Sequence, residues 1–214
     1  MVMNYQIIKA ASFTTTPWSG GTTTELFIYP MLSKYATRNF NFRLSTATVN
    51  VQESTFTSLP GITRTLMVLE GEMTLLHKSH HTAKLGKFDS DNFKGDWKTA
   101  SIGKCLDFNL MTMGNTHGTL ESLNGNKGKQ VTFSFSDNIQ HLLIYVHSGQ
   151  IKIENKTIET GDLIVFENPS KSIEIISLEN CDLIISKIFP WESSKNHCIN
   201  HKNIVLVFIV RFLQ

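Results

Sequence analysis

Met67-Val68-Leu69-Glu70-Gly71-Glu72-Met73-Thr74-Leu75 reads as a strand, a glycine turn and a second strand. The same order returns downstream in Ile144-Tyr145-Val146-His147-Ser148-Gly149-Gln150-Ile151-Lys152-Ile153. A repeated unit of this kind points to two halves built alike. Around both copies the chain is a succession of short β-branched or aromatic runs, at 40–51, 65–77, 129–135, 141–146, 150–154, 162–166, 172–177 and 182–188. Gly, Asn, Asp, Pro and Ser separate them, and no long stretch carries helical periodicity. The pattern predicts an all-β protein, sandwich or barrel, with few helices.

The polar stretch 118–129, with a loop at 124–128, marks the expected boundary between the halves. The reading is a first half over 1–120, a second over 121–191 and a tail over 192–214. With 41% hydrophobic residues in 214, the chain can bury a sizeable core. Charged residues make up 18%, and the formal net charge is +2 without a basic cluster. That argues against nucleic acid as a partner. Three cysteines, Cys105, Cys181 and Cys198, form no CxxC motif, which suits a reducing cytoplasm. Residues 1–11 lack the pattern of a secretory leader. The apolar run 204–213 contains Arg211 and is about half the ~20 residues a membrane span needs, so no membrane partner is expected.

Two arginines sit where the strand pattern predicts inward-facing positions, Arg43 in Phe42-Arg43-Leu44-Ser45 and Arg64 in Ile62-Thr63-Arg64-Thr65-Leu66. A guanidinium does not lose its charge in a protein, so each needs a carboxylate. A ligand could supply it through a bidentate pair, or the chain could, through Glu25 or Asp107. Asp107 and Asn109 alternate in Leu106-Asp107-Phe108-Asn109-Leu110-Met111, and period two puts them on one face. They line a pocket or face water at a strand edge. Trp18 precedes Gly20 and Gly21; it walls the pocket or packs over a turn. Glu25 is read on the same face as Thr23 and Phe27, pairing with an arginine or with a cationic ligand group.

His77, His80 and His81 fall in a polar stretch read as a solvated loop, and His197, Cys198 and His201 in the tail are not read as a metal cluster. Neither a Gly-x-Ser-x-Gly motif nor a phosphate or dinucleotide fingerprint occurs.

Thr160-Gly161-Asp162-Leu163-Ile164-Val165-Phe166 resembles the glycine-aspartate turn of a cupin jelly roll. Cupins commonly hold a metal with two histidines and a glutamate ahead of the first glycine turn, plus a later histidine. The glutamate usually stands seven residues before the glycine. Here Arg64 stands seven before Gly71 and Leu142 seven before Gly149, so the resemblance implies no metal in either half. His141 is the one remnant.

Five segments in order resemble the HutD/Ves family of two-domain cupin-like proteins. They are Trp18-Ser19-Gly20-Gly21-Thr22-Thr23-Thr24-Glu25-Leu26, Phe42-Arg43-Leu44-Ser45-Thr46-Ala47, and Phe56-Thr57-Ser58-Leu59-Pro60-Gly61-Ile62-Thr63-Arg64. Phe93-Lys94-Gly95-Asp96 and Asp107-Phe108-Asn109-Leu110-Met111 complete the set. The resemblance implies a metal-free bicupin, two jelly-roll barrels of the double-stranded β-helix type. Some relatives accompany histidine-utilisation genes and are thought to sense a pathway acid such as formiminoglutamate or urocanate; others are linked to stress.

The expectation is a regulatory protein that binds a small anionic metabolite and uses no cofactor. Arg64 and Arg43 grip carboxylate, Asp107, Asn109 and Glu25 orient the ligand, and Trp18, Phe42 and Met111 wall the site. A homodimer is compatible with this. The alternative is a metal-free isomerase or epimerase with Asp107 as base, and a third reading makes the apolar tail an assembly contact.

Overall fold

The computed structural model describes residues 5–134, 138–169 and 172–190. Their strands are β1 (Tyr5–Ile8), β2 (Thr14–Trp18), β3 (Gly21–Tyr29), β4 (Phe42–Val49), β5 (Glu53–Thr55), β6 (Ile62–Gly71) and β7 (Met73–His77). Then come β8 (Thr82–Leu85), β9 (Ser90–Lys94), β10 (Thr99–Ile102), β11 (Cys105–Met113), β12 (His117–Gly125) and β13 (Gln130–Phe133). The last are β14 (His141–Ser148), β15 (Gln150–Ile153), β16 (Lys156–Glu159), β17 (Leu163–Glu167), β18 (Ile173–Ser177) and β19 (Cys181–Phe189). Two short 3-10 turns, Ala10–Ser12 and Tyr35–Thr37, are the helical content among the described residues.

The chain divides into two compact units, one over Ala11–Leu120 and one holding the later residues with the first ten. The sequence reading kept 1–120 together, but β1 pairs with β17, Tyr5 opposite Phe166 and Ile8 opposite Leu163. The anchor is Asp162, the aspartate of the glycine turn. It accepts from Lys9 Nζ at 2.6 Å and from the Ala10 N–H at 3.0 Å. Those bonds hold its carboxyl below the usual range against the upward push of burial.

In the first unit a six-stranded sheet, β2-β3-β4-β11-β6-β9, faces a four-stranded one, β5-β10-β7-β8. Val49, Leu66, Val68 and Phe93 of the larger sheet share a core with Leu75 and Leu85 of the smaller. In the second unit β1-β17-β14-β19-β12 faces β13-β18-β15-β16. Its core is almost wholly aliphatic, with Ile144, Ile151, Ile158, Ile164, Ile175 and Ile185 at its centre. None of the four sheets closes on itself, so the barrels expected from the sequence are facing pairs of open sheets.

Both glycine turns of the repeat form. Gly71 and Gly149 have φ of 77° and 78°, the left-handed region that favours glycine. The stretch 118–125, expected as linker, instead forms most of β12. Gly125 closes that strand because a Cβ there would meet Ser177 Oγ at 2.3 Å and Cys181 Sγ at 2.7 Å. No helix among the described residues is long and apolar enough to cross a membrane. The tail over 192–214, with His197, Cys198, His201 and the apolar run, lies outside the described residues.

Candidate functional site

β11 runs between β4 and β6, so its side chains form rows with theirs across the sheet. Met111 lies opposite Arg43 on one side and Arg64 on the other, and Arg64 lies opposite Phe93 of β9. Two residues along the strand, Asn109 stands between Ser45 and Leu66; two further, Asp107 stands between Ala47 and Val68. Leu66, Val68 and Phe93 belong to the core between the sheets, so this face of β11 points inward. Arg43, Arg64, Asp107 and Asn109 are all buried.

Arg43 has found a partner in the chain. Its Nε donates to Glu25 Oε2 at 2.7 Å and its Nη1 to Ser45 Oγ at 3.0 Å. The guanidinium lies 4.5 Å over the Tyr35 ring. Glu25 reaches it through an irregularity in β3. Glu25 pairs with Ser45 but Phe27 with Leu44, leaving Leu26 as the extra residue. Phe27 is thereby turned to the opposite face from Glu25, contrary to the alternation read from sequence, and stacks on Phe42.

Arg64 is differently placed. Its guanidinium lies 4.5 Å over Phe56 and 5.3 Å from the Phe93 ring centre. Its Nε is fully enclosed and has no hydrogen-bond partner among the described residues. Burial pushes its pKa down to about 10; Asp107 and Tyr35 oppose this, and the Arg43 charge adds to it. The Asp107 carboxyl is pushed up to about 7 by burial, with Arg64 pulling the other way. Burial, reinforced by Asp107, takes the Cys105 thiol to about 12. The Asn109 Oδ1 is also enclosed and unpaired. One face of one sheet thus holds a cation, an acid poised near neutrality and an unsatisfied amide.

Phe42 and Trp18 do not join them. Phe42 adjoins Arg43 in sequence, so it faces away, and it stacks on Phe27 and Tyr29. Trp18 pairs with Gly21, in the row of Val49 and Cys105. That row lies six residues along β11 from Met111, roughly 20 Å away. Met111 stays in the site, packed with Phe40, Leu59 and Ile62. Sequence reasoning missed three residues that shape the site, Tyr35, Phe56 and Phe93. All are aromatic, and Phe56 and Phe93 open two of the segments quoted above. Phe56 also lines a groove of about 540 Å³ with Thr55, His77, Lys98 and Thr99.

His77 is not in a solvated loop. It ends β7, is buried, and its Nε2 lies 2.8 Å from Asp91 Oδ2. His141, on β14 in the second unit, is buried as well, and burial lowers its pKa.

No curated protein matches this chain. Solved structures do. The conserved protein of unknown function PA5104 from Pseudomonas aeruginosa PAO1 is 20% identical, with a TM-score of 0.74 over 87% of this chain and 99% of that one. HutD from Pseudomonas fluorescens SBW25 (formate condition) is 20% identical, with a TM-score of 0.69 over 88% of this chain and 100% of the other. The bacterial pirin YhhW from Escherichia coli, in complex with nickel(II), shares 11% identity, a TM-score of 0.68 and 88% and 100% coverage. These likenesses establish a cupin-like β fold. The HutD family model matches residues 10–184, well over half of the sequence, and the chain belongs to the HutD family.

Proposed function

We propose that the first unit binds a small carboxylate at Arg64 without using a metal, and that binding serves regulation. The observation that carries this is the enclosed Arg64 Nε, left without a hydrogen bond beside the enclosed Asn109 Oδ1. Buried polar atoms of this kind nearly always have partners, and a missing one costs about 1–3 kcal/mol. A carboxylate fits the guanidinium fork. Asn109 Oδ1 asks for an N–H donor. It sits two residues along the sheet from the Arg64 row, about 7 Å. A small acid carrying an amide or amidine N–H satisfies both. Arg43, already held by Glu25, supplies a second positive charge from across Met111.

On this reading the protein is a two-half cupin-like regulator in the cytoplasm. The family name supports a place in histidine utilisation, and a homodimer is compatible with it. Thermal-shift and calorimetric screening with formate and histidine-pathway acids tests the proposal. Arg64→Met should abolish binding while leaving the circular dichroism unchanged; unaltered affinity in that variant sinks it.

Asp107 makes binding sensitive to pH. A carboxylate on Arg64 offsets the charge that opposes burial at Asp107, so the Asp107 pKa rises beyond about 7 and the complex holds more protons than the free protein. Affinity should therefore rise as pH falls from about 8 to about 6, where simple carboxylates stay ionised. Asp107→Asn should flatten this slope, measured by calorimetry across the range.

The same pKa favours a second reading, Asp107 as general base of an isomerase or epimerase. Turnover of any bound acid, followed by mass spectrometry, separates the two.

A further inference from the structure

The first unit holds a second cluster that the carboxylate site does not use. β7 and β8 form a tight hairpin in which the His77 N–H donates to the His81 carbonyl at 2.9 Å. The hairpin brings the two imidazoles together, with centres 4.7 Å apart and ring planes tilted by 41°. Asp91 reaches them from β9, in the opposite sheet. Its Oδ2 lies 2.8 Å from His77 Nε2, and both of its oxygens lie 3.0–3.1 Å from His81 Nε2. The three ligand atoms fall within 4.8 Å of one another.

Thr99 Oγ1 stands behind His77, 2.8 Å from Nδ1 and 3.3 Å from the Trp97 carbonyl. In the tautomer with its proton on Nδ1, His77 donates to Thr99 and turns the Nε2 lone pair toward Asp91, where an ion can be shared. The ring is fully enclosed.

From this geometry we infer that His77, His81 and Asp91 form a binding site for a divalent transition-metal ion. Imidazole and carboxylate together suit Zn²⁺, Ni²⁺ or Fe²⁺, and metal–nitrogen bonds of about 2.0–2.1 Å need only small shifts from the present spacing. Thr99 is the orienting partner such a histidine requires. Three protein ligands leave a tetrahedral ion one position for water or an incoming group. The ion would clamp the β7–β8 hairpin of one sheet to β9 of the other. His80, stacked on Trp97 at 3.7 Å, is outside the ligand set.

The test uses the full chain with Zn²⁺ by calorimetry and Co²⁺ by visible absorption. One equivalent should bind, raise the thermal midpoint and, with Co²⁺, give tetrahedral ligand-field bands. His81→Ala changes a half-exposed side chain and should fold normally. It and the near-isosteric Asp91→Asn should each weaken binding by at least tenfold, whereas His80→Ala should not. Because tail residues His197, Cys198 and His201 are candidate ligands, a variant lacking all three should bind as the parent does. Absence of binding, or binding that survives both His81→Ala and Asp91→Asn, overturns the inference.

Discussion

Gly149→Ala is expected to destabilise the second unit by about 2–5 kcal/mol, the larger part of a typical folding free energy. Two costs combine. With φ at 78°, the residue sits where a side chain is strained by about 1–3 kcal/mol. A Cβ would also stand 2.2 Å from the Asn180 carbonyl oxygen and 2.9 Å from the Cys181 Cα. Both are backbone atoms at the start of β19, which cannot turn aside as a flexible side chain would. Either β19 moves, with its long pairing to β14, or the turn opens. Gly71→Ala meets the same conflict against the Lys104 carbonyl, at 2.6 Å, and should cost less. Gly61 serves as control: its φ is 77° but nothing lies within 4 Å of its missing Cβ, so Gly61→Ala carries only the backbone cost. Urea unfolding of the three variants ranks them; a Gly149→Ala midpoint equal to that of Gly61→Ala would refute the close-contact argument.

Arg64→Met should have the opposite sign. Replacing an imperfectly paired buried ion with an apolar side chain of similar length is often neutral or stabilising by about 1–4 kcal/mol. Arg64 has an enclosed, unpaired Nε and a pKa drawn down to about 10 by burial. Methionine would keep the packing on Phe56 and Phe93 without the charge. Asp107, deprived of its cation, should titrate above its present value of about 7 and stay protonated in the fold. The variant should therefore unfold at higher urea while losing carboxylate affinity. A gain in stability with a loss of binding marks a residue kept for its chemistry. Destabilisation by more than about 1 kcal/mol would show that Arg64 acts as a structural ion pair instead.

Strands β13, β14, β15, β17, β18 and β19 of the second unit were legible because apolar runs and glycine punctuation coincide there; β1, β12 and β16 were not. Nor were β2, β8, β9 and β10, being short and rich in polar residues. Arg64 was legible as a special position by counting from Gly71, and its burial bears out its inward orientation. Glu25 and Arg43 were both named, and one of the two alternatives open to Arg43, a carboxylate within the chain, is what the fold shows. The extra residue Leu26 could not be read, since nothing in Glu25-Leu26-Phe27 announces a bulge. Phe42 is a different case. Its adjacency to Arg43 already forbade a shared face. His77 was misjudged because the polar residues after it resemble a solvated loop, while the groups that bury it, Phe93, Trp97 and Asp91, lie well downstream.

The repeated glycine turns back onto equivalent strands, yet the positions seven residues ahead of them have diverged to Arg64 and Leu142. A duplicated unit can divide its labour in this way. The copy with Leu142 is free to fill its interior with isoleucine, valine and leucine, which interchange at little cost when volume is kept. The copy with Arg64 is bound by charges that do not interchange at all. Descendants of this chain should drift under two different rules, cohesion in one half and chemistry in the other.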